Sequence, residues 1–368
     1  MLVEKYKNML SGKSVIRQLS EFATARGQEI GYENVFDYSL GNPSVPVPKA
    51  FTDRMIQMLA TKNPMELHGY SPSLGITSVR EAIAESLEKR FGIPYRKEHI
   101  FMASGAAGAL AHAFRLVTKP GDEILTFAPF FPEYHPYVDL TGAVLRVVPP
   151  NTETFQINVP EFEQMITEKV MAVLINTPNN PSGVVYSTET IETLAEIMTR
   201  KSKQYGHEIY LISDEPYREI VFEGVDAPCV SKFYDNTIMC YSFSKSLSLP
   251  GERIGYVAIN PACEDAETMV RGPCKTRSSS GSLIPLVRQP LVFIVIASVQ
   301  PSTIKRVSPY KRERSISSTR SVTEVSPAKS TCFDIKPTRE SSLRSALLVI
   351  SGRITDSFKS SAFIIPSI

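Results

Sequence analysis

From His99 onward the chain alternates short apolar runs with longer stretches in which apolar residues recur every three or four positions. The short runs fall at 100–103, 123–127, 144–148, 170–176, 208–213, 237–241 and 255–259. They have the length of buried strands and little alternation, the pattern of strands covered on both faces. Between them, 106–118, 159–168 and 188–203 read as amphipathic helices. Strands joined by helical crossovers predict an α/β fold built on a mainly parallel seven-stranded sheet covered by helices. In such sheets ligands gather at the C-terminal ends of the strands.

Upstream of the sheet, Val15, Leu19 and Phe22 have helical spacing, and 55–60 is a second helical stretch. Val79, Ala82, Ile83 and Leu87 form the apolar face of a third, with Thr77 or Ser78 as its candidate cap. Gly41-Asn42-Pro43 is a breaker, and Tyr70 lies in the loop before the third helix.

Composition adds a division that the periodicity does not show. The net charge of the 368 residues is +2, but the stretch from Arg271 onward carries 16 Lys and Arg against 5 Asp and Glu, leaving −9 on the first 270. That stretch also holds 21 serines and only 3 of the 19 glycines. Composition thus sets off an atypical basic, Ser-rich tail at 271–368. Such a composition suits a basic arm for nucleic acid or a membrane surface, but a shifted frame, an inverted segment or a gene-model error also produces it. The second reading is the one adopted, with no nucleic-acid partner. The longest apolar stretch, 283–297, is broken by Pro285, Arg288 and Pro290, so no signal peptide, membrane span or membrane partner is expected. Five cysteines without metal-ligand spacing fit reduced thiols in a cytoplasmic protein, with no metal site.

The loops after the strands carry the candidate chemistry. Gly105, Ala106 and Ala107 open an apolar helix, where free backbone N–H groups and the helix dipole can hold a phosphate. Phe131, in Pro-Phe-Phe-Pro-Glu-Tyr, offers a flat ring. Asn180, in Asn-Asn-Pro-Ser-Gly, offers an amide to an ionised oxygen. Asp214 and Tyr217 follow a buried strand, where a carboxylate is costly without a cationic partner. Lys245 stands in Ser-Phe-Ser-Lys and Arg253 eight residues on, an amine for a Schiff base and a guanidinium for a phosphate.

Over roughly residues 39–260 these motifs, in this order, resemble the fold-type-I pyridoxal-phosphate enzymes, specifically the aspartate-aminotransferase-like class I/II aminotransferases. The resemblance implies pyridoxal 5'-phosphate as cofactor and the large domain of these transferases as the fold, with an N-terminal arm and small-domain segment at 1–45 and the large domain at 46–270. It makes Lys245 the Schiff-base lysine and proton carrier, Asp214 the partner of the ring nitrogen, and Asn180 and Tyr217 the partners of the ring oxygen. Phe131 becomes the stacking ring, and Gly105, Ala106, Ala107, Ser242, Ser244 and Arg253 the phosphate cup. Tyr70 corresponds to a tyrosine that reaches the neighbouring subunit's cofactor, which implies a homodimer with shared sites. Gly41, Asn42 and Asn180 fall where the substrate is held.

The implied reaction is transamination between an amino acid and a 2-oxo acid, both small molecules. A carbon–sulfur β-lyase or decarboxylase on the same fold is the alternative within the cofactor class. A third reading is a catalytically impaired remnant, because the family's C-terminal small domain and its carboxylate-binding arginine have no recognisable counterpart after about residue 270. Arg353-Ile354 is the nearest sequence to that arginine's setting.

Overall fold

The computed structural model describes residues 15–279, with side chains through Gly272. These residues fall in two compact units, the chain passing from one to the other between Ser39 and Leu40. The expectations placed on 280–368, including the incomplete or replaced small domain, the frame error and Arg353, lie outside the described residues.

The first unit holds helix α1 (Val15–Ile30) and a 3-10 turn at Tyr32–Asn34. The helical spacing of Val15, Leu19 and Phe22 is real, yet Val15 and Phe22 are exposed, so periodicity found the helix without locating a buried face.

The second unit begins with three helices, α2 (Lys49–Thr61), α3 (Pro64–His68) and α4 (Thr77–Phe91). Asn63 caps α3 by accepting the Met65 N–H at 2.9 Å, with Pro64 in the first turn where its missing N–H costs nothing. α4 departs from expectation. Ile76 occupies its cap position with no side-chain bond, and Thr77 and Ser78 lie inside the first turn.

The alternation follows: β1 (Ile100–Ser104), α5 (Gly105–Val117), β2 (Glu123–Phe127), α6 (Tyr134–Asp139), β3 (Val144–Val148), α7 (Val159–Met165) and β4 (Val170–Asn176). Then come α8 (Thr188–Tyr205), β5 (Tyr210–Asp214), β6 (Thr237–Ser242), a single turn α9 (Phe243–Ser246), β7 (Ile254–Ile259) and α10 (Ala266–Ser279). α10 runs through residue 270, the position where the composition changes.

All seven predicted strands join one sheet in the order β1-β7-β6-β5-β4-β2-β3. β2 through β6 pair in parallel, whereas β7 runs antiparallel to both β1 and β6. Period-two alternation divides each strand between two cores. Phe101, Ile124, Leu174, Ile212, Cys240 and Val257 meet α5 through Ala109, Leu110, Ala113 and Phe114 on one face. On the other, Met102, Met239 and Tyr256 pack on Val79, Ile83 and Leu87 of α4, and Leu125, Val173 and Leu211 on Ile191 and Leu194 of α8. Burying one such side chain contributes about 1.5–3 kcal/mol, which is why unbroken apolar runs specify central strands.

The reversed strand sets the position of the site. β7 starts at the edge where the parallel strands end, so Ser104 pairs with Ile254 and Ser242 with Gly255. The end of β1, the end of β6 and the start of β7 thus meet at one rim. Glycine is required there, because a Cβ on Gly255 would collide with the Tyr241 carbonyl and stand 2.8 Å from the Gly105 carbonyl carbon.

Candidate active site

Lys245 is carried on α9, a helical turn rather than the loop its serines suggest. Ser242 caps the turn, its hydroxyl accepting the Ser244 N–H at 3.0 Å while bonded to Ser244 Oγ at 2.7 Å. The lysine amine donates to the Gly41 carbonyl oxygen. Burial, and then the charge of Arg253, lower its pKa below the ordinary 10.5. More of the amine is therefore neutral near physiological pH, the form that attacks carbonyls and accepts protons.

Arg253 immediately precedes β7 with a positive φ of 53° and donates from Nη1 to the Pro250 carbonyl at 3.1 Å. Its guanidinium closes on the first residue of α5. Gly105 has φ +67°, and a Cβ there would lie 2.9 Å from Arg253 Nη2, so both conformation and space call for glycine. The first N–H groups of a helix lack intrahelical acceptors. Gly105, Ala106 and Ala107 begin a 13-residue helix whose first residue lies against the guanidinium. Such an arrangement could hold a dianionic phosphate.

Asp214 ends β5, next to Cys240 of β6 in the sheet register. It is buried, and its Oδ2 accepts the Tyr134 hydroxyl at 2.6 Å. Its Oδ1 is buried with no hydrogen-bond partner among the described residues. Burial pushes this carboxyl from the ordinary 3.8 up to about 7, against the opposing pull of the Tyr134 bond. The Asp214 carbonyl accepts from Asn176 Nδ2 at 2.9 Å, and Asn176 Oδ1 accepts the Asn180 N–H at 2.6 Å. Asn180 Nδ2 in turn donates to the Tyr217 hydroxyl oxygen at 3.3 Å. Burial and the nearby Asp214 push the Tyr217 phenol up to about 12, so it stays a hydrogen-bond donor. Phe131 meets the Tyr134 ring edge to face, with centroids 5.7 Å apart.

The structure thus connects Lys245 with Gly41, Gly105 with Arg253, and Asp214 with Asn180 and Tyr217 through Asn176. Asn42 is exposed, its N–H turned back to the Leu40 carbonyl at 2.8 Å. Tyr70 stands between α3 and α4 with 83% of its surface exposed. Sequence reasoning missed Tyr134 and Asn176. Tyr134 lies three positions after Phe131, where the turn runs into α6, and nothing in its spacing marked it out.

Pyridoxal phosphate can be tested against this arrangement, and the residues fit it. The orphaned Asp214 Oδ1 lacks the cationic N–H partner that a pyridinium provides, and Gly105 and Arg253 enclose a place for phosphate. Residues 33–287 match the family described as aminotransferase class I and II. The chain belongs to the class I and II aminotransferases. It is 30% identical over 287 residues to an aspartate aminotransferase of Thermotoga maritima, covering 75% of this chain and 72% of that one. It is 32% identical over 242 residues to a probable aspartate/prephenate aminotransferase of Aquifex aeolicus, covering 64% of this chain and 59% of that relative's length. The crystal structure of an amino transferase from Eubacterium rectale superposes with a TM-score of 0.75 at 41% identity, over 81% of this chain and 75% of that one. The mainly parallel sheet of this aminotransferase is accordingly the large-domain sheet of its family.

Proposed function

We propose that this chain binds pyridoxal 5'-phosphate through Lys245 and catalyses amino-group transfer between an amino acid and a 2-oxo acid. The observation that carries the reading is Asp214: a buried carboxylate with one oxygen unpartnered, at the strand end next to the strand that leads to Lys245. Pyridoxal phosphate, when bound, supplies an aldehyde that condenses with amines and a cationic ring that takes up the electron pair left by a departing α-proton.

The side chains would divide the rest of the work. Arg253 and the N–H groups of Gly105, Ala106 and Ala107 hold the phosphate, with the Ser242 and Ser244 hydroxyls beside them. Asp214 would accept the ring N–H, and Asn180 and Tyr217 would donate to the ring oxygen. Phe131 would offer its ring to a face of the cofactor ring. Lys245 would accept the substrate's α-proton at Nζ and hold it there. Gly41 and Asn42 form the segment next to that amine and would approach the substrate carboxylate. The exposure of Tyr70 fits a tyrosine that reaches a second copy's site, so the homodimer is part of this proposal.

Purified protein incubated with pyridoxal phosphate should develop the visible absorbance of a lysine-bound cofactor, and Lys245→Ala should abolish it. Wild-type protein that stays colourless would refute the reading. Amino-group transfer from a panel of amino acids to 2-oxoglutarate, with the oxo-acid products quantified, tests the reaction.

A further inference from the structure

On the sheet face covered by α4, behind the Lys245 turn, a series of contacts ties α9 to the segment that follows Asp214. Tyr241 of β6 is buried between the rings of Tyr256, 5.0 Å away and nearly parallel, and Phe243, 5.3 Å away and edge-on. Its hydroxyl oxygen lies 2.8 Å from Glu219 Oε2 and 2.8 Å from Ser246 Oγ. A carboxylate only accepts, so the phenol proton goes to Glu219 and the Ser246 hydroxyl donates to the phenol oxygen. Burial, reinforced by Glu219, holds the phenol well above its ordinary 10, so that proton stays in place.

The other oxygen of Glu219 accepts from Arg90 Nη2 at 2.8 Å. The guanidiniums of Arg90 and Arg218 each lie 4.9 Å from the centre of the Phe91 ring. Arg218 is paired with Glu215, which accepts the Ser213 hydroxyl at 2.7 Å. The series therefore begins at Ser246, adjacent to Lys245, and ends at Glu215, adjacent to Asp214. Its Arg90–Glu219 bond is partly exposed and correspondingly weak, so the buried Tyr241 end carries most of the constraint.

We infer that Tyr241 and Glu219 are positioning residues that hold the Lys245 turn in register with the strand end bearing Asp214 and Tyr217. This rests on the cofactor reading above. α9 has four residues, too few to be stable as an isolated helix. Ser242 fixes where the turn begins; at its end the Leu247 and Ser248 N–H groups make long bonds back to the Phe243 and Lys245 carbonyls, 3.3 and 3.4 Å, and the Tyr241–Ser246 bond ties that end to β6. A lysine stem is flexible, so the placement of its amine depends on the backbone turn that carries it.

The test separates covalent capture from simple docking. Tyr241→Phe keeps the ring stack and removes one hydroxyl, and Ser246→Ala removes its partner. Apo protein is mixed with pyridoxal phosphate and the rise of the lysine-bound absorbance is followed. Affinity for pyridoxamine phosphate, which cannot condense with Lys245, is measured in parallel. Each single variant should slow capture on the order of 10-fold, the double variant should be no slower than either, and pyridoxamine phosphate affinity should stay within about 2-fold. Capture at wild-type rate in the variants overturns the inference, as does an equal loss of affinity for both compounds, which marks a merely structural role. Wild-type protein that captures no pyridoxal phosphate overturns the cofactor reading itself, and this inference with it.

Discussion

Asp214→Asn is the substitution that most directly probes why a carboxylate stands at the end of β5. Without a cation beside it the buried Asp214 holds its proton up to about pH 7, against the ordinary 3.8. That difference corresponds to about 4 kcal/mol of linkage between protonation and folding, and partial relaxation of the site lowers it to about 2–4 kcal/mol. The sign follows from the direction of the shift. The folded state binds the proton more tightly than the unfolded chain, so the contribution is complete below the unfolded value of 3.8 and is lost as pH rises through about 7. Asparagine carries no charge at any pH, and its Oδ1 can still accept the Tyr134 hydroxyl.

Urea unfolding of cofactor-free wild type and variant, compared at each pH from 4 to 8, cancels the titration of every other group. The variant should gain on wild type by up to about 1.4 kcal/mol per pH unit between pH 4 and 7, and the gap should then level off. Saturating pyridoxal phosphate should restore the wild type selectively, because only the carboxylate can pair with a pyridinium. A gap that stays flat across this range, within about 0.5 kcal/mol, would show that Asp214 is not a buried, unneutralised acid, and the reading of the site would lose its main support.

Two other substitutions test neighbouring parts of the same site. Tyr134→Phe deletes the hydrogen bond that opposes the shift at Asp214, so the apo-protein transition should move to higher pH; an unchanged or lower transition would contradict the contact. Gly105→Ala puts a methyl 2.9 Å from Arg253 Nη2 at a positive φ, and should weaken pyridoxal phosphate binding by about 1–3 kcal/mol in a fluorescence titration. Wild-type affinity in that variant would mean that the guanidinium and the helix start do not share a ligand.

Much of this was readable in the order of residues, for specific reasons. The strands were legible because β6 and β7 are buried at every position and read as unbroken apolar runs. Lys245, Asp214 and Asn180 were legible because each sits at or just beyond the end of such a run, and Arg253 because it immediately precedes one. Tyr134 was not, since a tyrosine among phenylalanines and prolines looks like packing until its hydroxyl is seen 2.6 Å from a buried carboxylate. Glu219 and Tyr241 were hidden for a different reason: they lie far apart in the chain, and only the sheet and the turn bring their oxygens within 2.8 Å. The short helix α6 was also missed, because its proline and aromatic residues carry no helical apolar stripe.

The reversed direction of β7 governs the order in which the nascent chain can assemble. β1 stands at the sheet edge and pairs with β7 alone, so Ser104 waits for Ile254 to be synthesised before it has a neighbour. β2 through β6 can pair among themselves in the meantime, but the helix start at Gly105 stays unanchored until the last strand slots between β1 and β6. Pairing across so long a separation is slow, and during that interval β1 and the open edge of β6 are exposed to wrong partners. A phosphate-bearing ligand can help only at the end, by clamping Gly105 to Arg253 once both have arrived. Cofactor supply should therefore influence how much chain reaches the completed sheet without changing how β2 through β6 pair.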